Sequence, residues 1–460
     1  MHRYTYPHTI DNGAGERLTF LRRVPGPTGE RVEGENVASP GAGPPMHVHH
    51  HQDEVFHVQR GRIGYQRPLA AIVAVMLAGC SAPDGPAADG GVQAPQTVHL
   101  TTAALADAPE WGSTVEFSTL GVDTLQILGS ESLFARFLAD GSLVIANGSN
   151  VVRLGRDGAV QRTLARSGDG PGEFRLIVAL GVAGDGSLFA SDHLTGRLTQ
   201  FSADGAVVRI VPRLRPFSDA MPASPITVLA GGRTIAVPWQ WRPAADAESG
   251  VSRNSVVRDA VPVVVYDDEG APADTVLTLA GLERVGGFVV PFPRSAVYDG
   301  RGSRWVAGPS DSLDLMIYDG VTPERRLVAA KANGAPTPRQ RSQRDDAVAA
   351  MFDAGVGSGL VERQARMSAP ATLPDVGGVL VDASSRIWVG RYLVPGDPER
   401  EWSVHSPAGA TVGRIRLPAF GSALVPYRTE LLDATHGRVA LMRETDGGEV
   451  YVEVRRLEER

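Results

Sequence analysis

The chain has 460 residues, 42% of them hydrophobic, with 53 glycines and 33 prolines. That is enough for one large or several ordinary domains, and the glycine and proline content favours short strands joined by turns over helical bundles. A formal charge of −7, with Lys331 the only lysine, leaves no basic footprint for nucleic acid, and Cys80 as the single cysteine excludes an intrachain disulfide, a thiolate zinc site or a Cys-His nucleophile.

Residues 1–66 hold seven of the eleven histidines, five of them between His47 and His57. From Gly41 the spacing runs through His47, His49 and Glu54 to Gly61. On a strand, His47 and His49 point the same way, and Glu54 lies on the returning strand, so two imidazoles and a carboxylate converge. Such a set suits a divalent transition metal. The stretch resembles the first signature of the cupin superfamily, and the resemblance implies that His47, His49 and Glu54 are metal ligands. No second cupin signature follows Gly61. The expected structure is therefore an incomplete cupin-like β-barrel fragment, with weak metal affinity and no catalysis.

Residues 67–80 form the seam of the chain. Arg60, Arg62 and Arg67 precede a short apolar run, Leu69 to Cys80, that ends Leu77-Ala78-Gly79-Cys80. The run is too short to span a bilayer, which takes roughly 20 apolar residues. It resembles a bacterial lipobox, in which small residues enter a peptidase groove and the thiol takes a thioether-linked lipid. Cys80 is thus the expected lipidation site. Ser81 implies outer-membrane anchoring facing the periplasm, and residues 81–99 read as a flexible tether. More than sixty residues ahead of such a signal imply a fusion or a mis-called start.

Residues 100–460 repeat. Asp140-Gly141-Ser142-Leu143-Val144-Ile145 recurs at Asp185, then more weakly at Gly231, Arg301, Ser384 and His436, the first steps being 45 and 46 residues. Each copy leads into further strands with their own turns, as at Arg197–Phe201, Val261–Tyr266, Leu313–Tyr318 and Glu401–His405. Turn, strand, turn, strand at this interval is what a four-stranded propeller blade requires, and six blades must close into a ring. The sixth copy lacks a last strand, while Val115 to Ile127 is unassigned, so the N-terminal stretch is expected to complete the last blade. With Gly168–Phe174 and Asp192–Arg197, the piece resembles six-bladed NHL-like propeller lipoproteins. The fold class is therefore all-β, a six-bladed β-propeller with a helical insertion.

Two insertions break the period. Trp239 to Arg258 reads as a polar loop. Pro338 to Met367 holds two helix-like patches, with Ala347, Ala350, Met351 and Ala354 on one face. The glycine-rich Gly168–Phe174 segment lacks the lysine and helix of a phosphate loop, so it reads as a blade-connecting turn. Only His193 and His436 lie near inner turns. Asp140 and Asp185 belong to the turn phrase, where aspartates bond their own backbone; His99 and His405 read as surface or packed histidines.

Three functions follow, in this order. The first is a membrane-tethered propeller that binds a protein or small-molecule ligand on one face, with no nucleic-acid partner and no catalytic residues. The second is an NHL-like propeller hydrolase or lyase. The third is a cupin metalloenzyme.

Overall fold

A computed structural model describes residues 8–11, 16–26, 29–38, 94–122, 133–215, 223–238, 256–285, 288–350, 362–363, 367, 372–420, 430–445 and 448–459. The chain divides into two compact units, Met1–Gly91 and Val92–Arg460. In the first, strands His8–Asp11, Glu16–Gly26 and Gly29–Ala38 form a three-stranded antiparallel meander. These strands precede the cupin-like motif, and the described residues form an open sheet with no barrel. The expected cupin-like barrel fragment is therefore not supported: a meander of consecutive hairpins leaves its outer strands as edges. His47, His49, Glu54 and Cys80 lie outside the described residues.

The second unit is a six-bladed β-propeller. Its sheets follow one another along the chain, each built outward from an inner strand. Blade 1 comprises Leu133–Phe137, Leu143–Asn147, Asn150–Leu154 and Val160–Ser167. The inner strands of blades 2 to 6 are Ile177–Val182, Ala223–Val228, Ala296–Arg301, Val376–Val381 and Leu431–Thr435. In each blade the repeated phrase is the turn that leads from the inner strand to the second, whose residues are almost wholly buried. Those second strands are rich in Val, Ile, Leu and Trp because both of their faces pack on neighbouring blades.

Antiparallel order puts alternate connections on opposite faces of the ring. On one, here the turn face, every connection within a blade has either five residues, as 138–142 and 183–187, or two, as 302–303. In the five-residue turns the fourth residue takes a left-handed backbone, with Gly141, Gly158, Gly186 and Gly205 at φ of 81° to 84°. Blade 5 places Ser385 there at φ 61°, a conformation that is costly for a residue with a Cβ. The other face, the loop face, carries both insertions: 239–256 and 330–375 connect strands at that end.

Within the second insertion, Pro338–Ala350 is helical. Its entry is a reciprocal cap. Thr337 Oγ1 accepts from Gln340 N–H at 3.2 Å, and Gln340 Oε1 accepts from Thr337 N–H at 2.9 Å. Among its described side chains Arg344 and Val348 are buried and Ala347 is half-buried, while the side chains of Ala350, Met351 and Ala354 lie outside the described residues.

Closure is as expected in kind and longer in extent. Gly112–Ser118 pairs antiparallel with Val450–Glu458 and so completes blade 6 from the other end of the chain. Ahead of it, Gln96–Leu100 adds a parallel fifth strand outside Thr322–Ala329 of blade 4. Between the two, Arg414 N–H donates to Pro109 O at 2.9 Å and Trp111 N–H to Arg414 O at 2.8 Å, along the outer edge of blade 5. Residues 96–118 therefore strap three successive blades. Residues 96–99, which the sequence placed in the tether, are part of this strap.

Trp111 is 5% exposed and packs edge-on against Trp388 at 6.0 Å between ring centroids. It anchors the strap between blades 5 and 6, with Leu457 and Leu431 in the same cluster. Trp111→Ala is expected to cost about 3–5 kcal/mol, read as a lower midpoint in chemical denaturation, with blade-edge amides of 411–418 losing hydrogen-exchange protection first.

Candidate functional site

A propeller offers three places for chemistry: its axis and its two faces. The axis is closed toward the turn face by blade 4. Its inner hairpin, Asp299-Gly300-Arg301-Gly302, ends in a two-residue turn and touches each of the other five blades. Arg136 of blade 1 lies 3.2 Å from Asp299, and Arg301 donates to Phe137 O. Gly302 N–H donates to Val182 O of blade 2 at 2.9 Å. Thr227 Oγ1 of blade 3 donates to Gly302 O at 2.7 Å. Val381 N–H of blade 5 donates to Asp299 Oδ2 at 2.7 Å. Asp433 of blade 6 pairs with Arg301 at 2.9 Å and accepts from Phe137 N–H at 2.6 Å.

Gly300 makes the approach possible, since a Cβ there would lie 3.0 Å from Ile226 Cγ2 and 3.1 Å from Thr227 Cβ. Burial pushes the Asp299 carboxyl above its usual range, against the pull of the Arg136 guanidinium and the Val381 N–H. The cluster is a cross-brace: each charge is paired and each carboxylate also accepts a backbone N–H. Asp433→Ala would leave Arg301 largely buried and unpaired, and is expected to cost about 3–5 kcal/mol in equilibrium unfolding.

The histidines singled out in the sequence do not converge. His193 lies in the loop-face turn after Leu188–Asp192, and its N–H donates to Leu176 O. His436 lies in the turn-face hairpin of blade 6, with Nδ1 3.1 Å from Glu459 and a side chain 79% exposed. Asp140 and Asp185 each accept from the N–H and hydroxyl of the serine two residues on. The carboxyls are held below the usual range chiefly by those hydroxyls, Ser142 and Ser187.

Gly168–Phe174 bonds to itself. Glu173 accepts from Gly170 N–H at 2.9 Å, Asp169 forks onto Arg175 at 2.6 Å, and Gly168 N–H donates to Phe174 O. It is a blade-connecting turn. No group of three or more His, Cys, Asp or Glu able to hold a metal occurs among the described residues, and no helix among them is long and apolar enough to cross a membrane.

His405 is fully buried in the third strand of blade 5, with Nε2 3.0 Å from Ser403 Oγ and Nδ1 3.3 Å from Thr411 Oγ1. A serine beside a histidine invites comparison with a nucleophile and its base. Here both ring nitrogens are occupied inside the blade stack, and His405 is a packed histidine. Burial lowers its pKa from 6.5 to about 4. The folded state thus favours the neutral ring, so its contribution is fully present above pH 6.5 and is lost as pH falls toward 4. The loss over that window is about 3 kcal/mol. In urea denaturation between pH 7 and pH 4.5, His405→Gln is expected to flatten the decline.

The loop face holds a cleft of about 240 Å³ lined by Asn333, Gln340, Tyr392, Asp397, Glu399 and Arg400 among others. One wall is the insertion, entered at Thr337, and the other is the connection 392–398 of blade 5. The two walls are tied by Gln343 Nε2 donating to Asp397 Oδ1 at 2.9 Å. Asp375 fixes the approach by accepting from Ala332 and Asn333 N–H at 3.1 and 2.8 Å. At the base, Arg400 and Glu430 are 3% and 0% exposed and 3.1 Å apart, and Trp402 Nε1 donates to Glu430 at 2.7 Å. Burial pushes the Tyr392 phenol well above its ordinary value. Farther along the insertion, the Arg363 guanidinium lies 4.2 Å from the ring centroid of Phe288, an exposed residue of blade 3. The sequence singled out the insertion but no residue of the cleft, because the wall at 392–398 has no repeat, motif or clustered chemistry.

No family model and no curated protein matches this chain. Among solved structures it is similar to a candidate exported protein from Bacteroides fragilis, at 12% identity over 78% of this chain and 99% of that one, with a TM-score of 0.42. It is similar to a DUF4221-family member from Bacteroides vulgatus at 10% identity, 77% and 100% coverage and a TM-score of 0.41. Virginiamycin B lyase from Staphylococcus aureus matches at 9% identity, 75% and 99% coverage and a TM-score of 0.35. At these identities and scores the likenesses carry no argument about what this chain does.

Proposed function

We propose that this chain is a cell-envelope propeller, held at a membrane by lipid on Cys80, that binds a protein or small-molecule ligand on its loop face. The observation that carries the binding face is the asymmetry of the ring. Turn-face connections are short and uniform, and the axis beside them is braced shut. All long connections, the cleft and Leu194, a 62% exposed leucine in the 193–197 turn, lie on the other face. Variable loops on a rigid scaffold are where recognition surfaces are built. The anchor rests on the lipobox-like run before Cys80, and the outer membrane facing the periplasm is the location that Ser81 supports. On this reading a metal on His47, His49 and Glu54 belongs to a segment that signal cleavage removes.

Photo-crosslinking residues at Leu194, Phe288 and Arg391 test the loop face against Asp185, Asp204 and Val321 on the turn face. In native membranes, adducts from the first set alone are expected, and equal adducts from both sets would overturn the proposal. Intact mass of the membrane-extracted protein tests the anchor. A chain that starts at acylated Cys80 is expected, and an unmodified thiol would remove the lipoprotein reading.

A further inference from the structure

Resting on the loop-face reading, we propose that the cleft between the insertion and residues 392–398 binds a small, neutral polyhydroxyl compound of monosaccharide size. The cleft gathers polar groups whose hydrogen-bonding capacity is not used up among the described residues. Arg400 is 3% exposed, its Nε is bonded to Glu430 and its Nη1 to Arg391 O at 3.0 Å, yet its Nη2 has no acceptor among the described residues. The Tyr392 hydroxyl has no partner among them either. Gln340 uses its oxygen on Thr337 and keeps its amide N–H groups. These are the donors.

The acceptors lie in the same space. Asp397 gives Oδ1 to Gln343 and retains Oδ2. Glu399 has no hydrogen-bond partner among the described residues, and Glu401 has only distant arginines at 3.6 and 3.9 Å. Asn333 donates through its N–H groups and keeps Oδ1.

Charge selects among ligand classes. A carboxylate would meet Arg400 already neutralised by Glu430 and Arg391 already facing Glu401 at 3.6 Å, with Asp397 and Glu399 beside them. An amine would satisfy those carboxylates but offers no acceptor to the Arg400 Nη2 and the Tyr392 hydroxyl. A hydroxyl both donates and accepts, so a ring bearing several hydroxyls satisfies both sets at once. Leu373, Leu393 and Val394 supply apolar wall for the C–H face of such a ring. The volume, room for about eight waters at roughly 30 Å³ each, is that of one sugar ring and is below the range of drug-sized sites.

Saturation-transfer NMR on the full chain tests this with glucose, galactose and mannose as neutral probes and glycine, acetate and ethylamine as charged ones. Transfer to at least one hexose is expected. Tyr392→Phe, which removes a hydroxyl with no partner among the described residues, is expected to leave the melting temperature unchanged and weaken the hexose about tenfold. Glu399→Gln, on the exposed rim, is expected to act in the same direction. Transfer to the charged probes alone, to no hexose, or undiminished in both variants would overturn the proposal. If hexose transfer is absent while loop-face crosslinks persist, the ligand class falls and the binding face stands. If the crosslinks distribute over both faces while hexose transfer survives, the reverse holds.

Discussion

A ring of six sheets leaves a hole at its centre, and here the stability of the ring depends on how blade 4 fills it. The Asp299–Gly302 hairpin is tighter than the five-residue turns of blades 1 to 3 and 5, so its tip reaches the axis and bonds to all five other blades. Two arginines and two aspartates meet there with their remaining valences taken by backbone groups, which is the condition under which buried charges do not destabilise. The brace also couples the blades. Neighbouring blades in a propeller touch only across one interface, whereas blades 1, 2, 3, 5 and 6 here share a single hairpin.

That brace divides the labour of the two faces. On the turn face, a change of connection length would move the strand ends that hold the hairpin, and the connections there have only two lengths. Among the described residues the loop face has no such brace, and its connections run from two residues at 148–149 to the long insertion at 330–375. Insertions accumulate where the core does not depend on loop length. The insertion in turn is fixed by local means: a capped helix, Val348 in the core, and Gln343 bound to Asp397.

What could be read in the sequence follows the same division. The Asp-Gly-Ser phrase was legible because a left-handed fourth residue demands glycine, and the demand repeats with the blade. The N-terminal strand of blade 6 was legible by elimination, since the sixth repeat ends one strand short. The strap ahead of it was not, because Gln96–Leu100 has no repeat partner and its flank resembles a polar tether. Nor was the axial brace: Arg136, Asp299, Arg301 and Asp433 come from three different blades, and nothing in their spacing announces that they meet. The cleft fails to show for a related reason, as Arg400 and Tyr392 meet the insertion only in the folded chain, which a sequence does not display.

The strap has a consequence for how the protein is made. Its residues pair in chain order with blades that are synthesised in the same order: Gln96 with Arg325, Pro109 and Trp111 with Arg414, and Phe117 with Val454. A chain that emerges N-terminus first can lay the strap onto blade 4, then blade 5, then blade 6 as each appears, with no need to thread or reverse. Its last stretch must still wait, because the N–H of Val452 reaches the Thr119 hydroxyl across 333 residues. Until the C-terminal strand arrives, 112–118 lacks its pairing partner and the ring stays open, so nearly every blade can form before the ring is locked. The slow step in assembly is then a single seam, and the product is committed only when the final strand has been made.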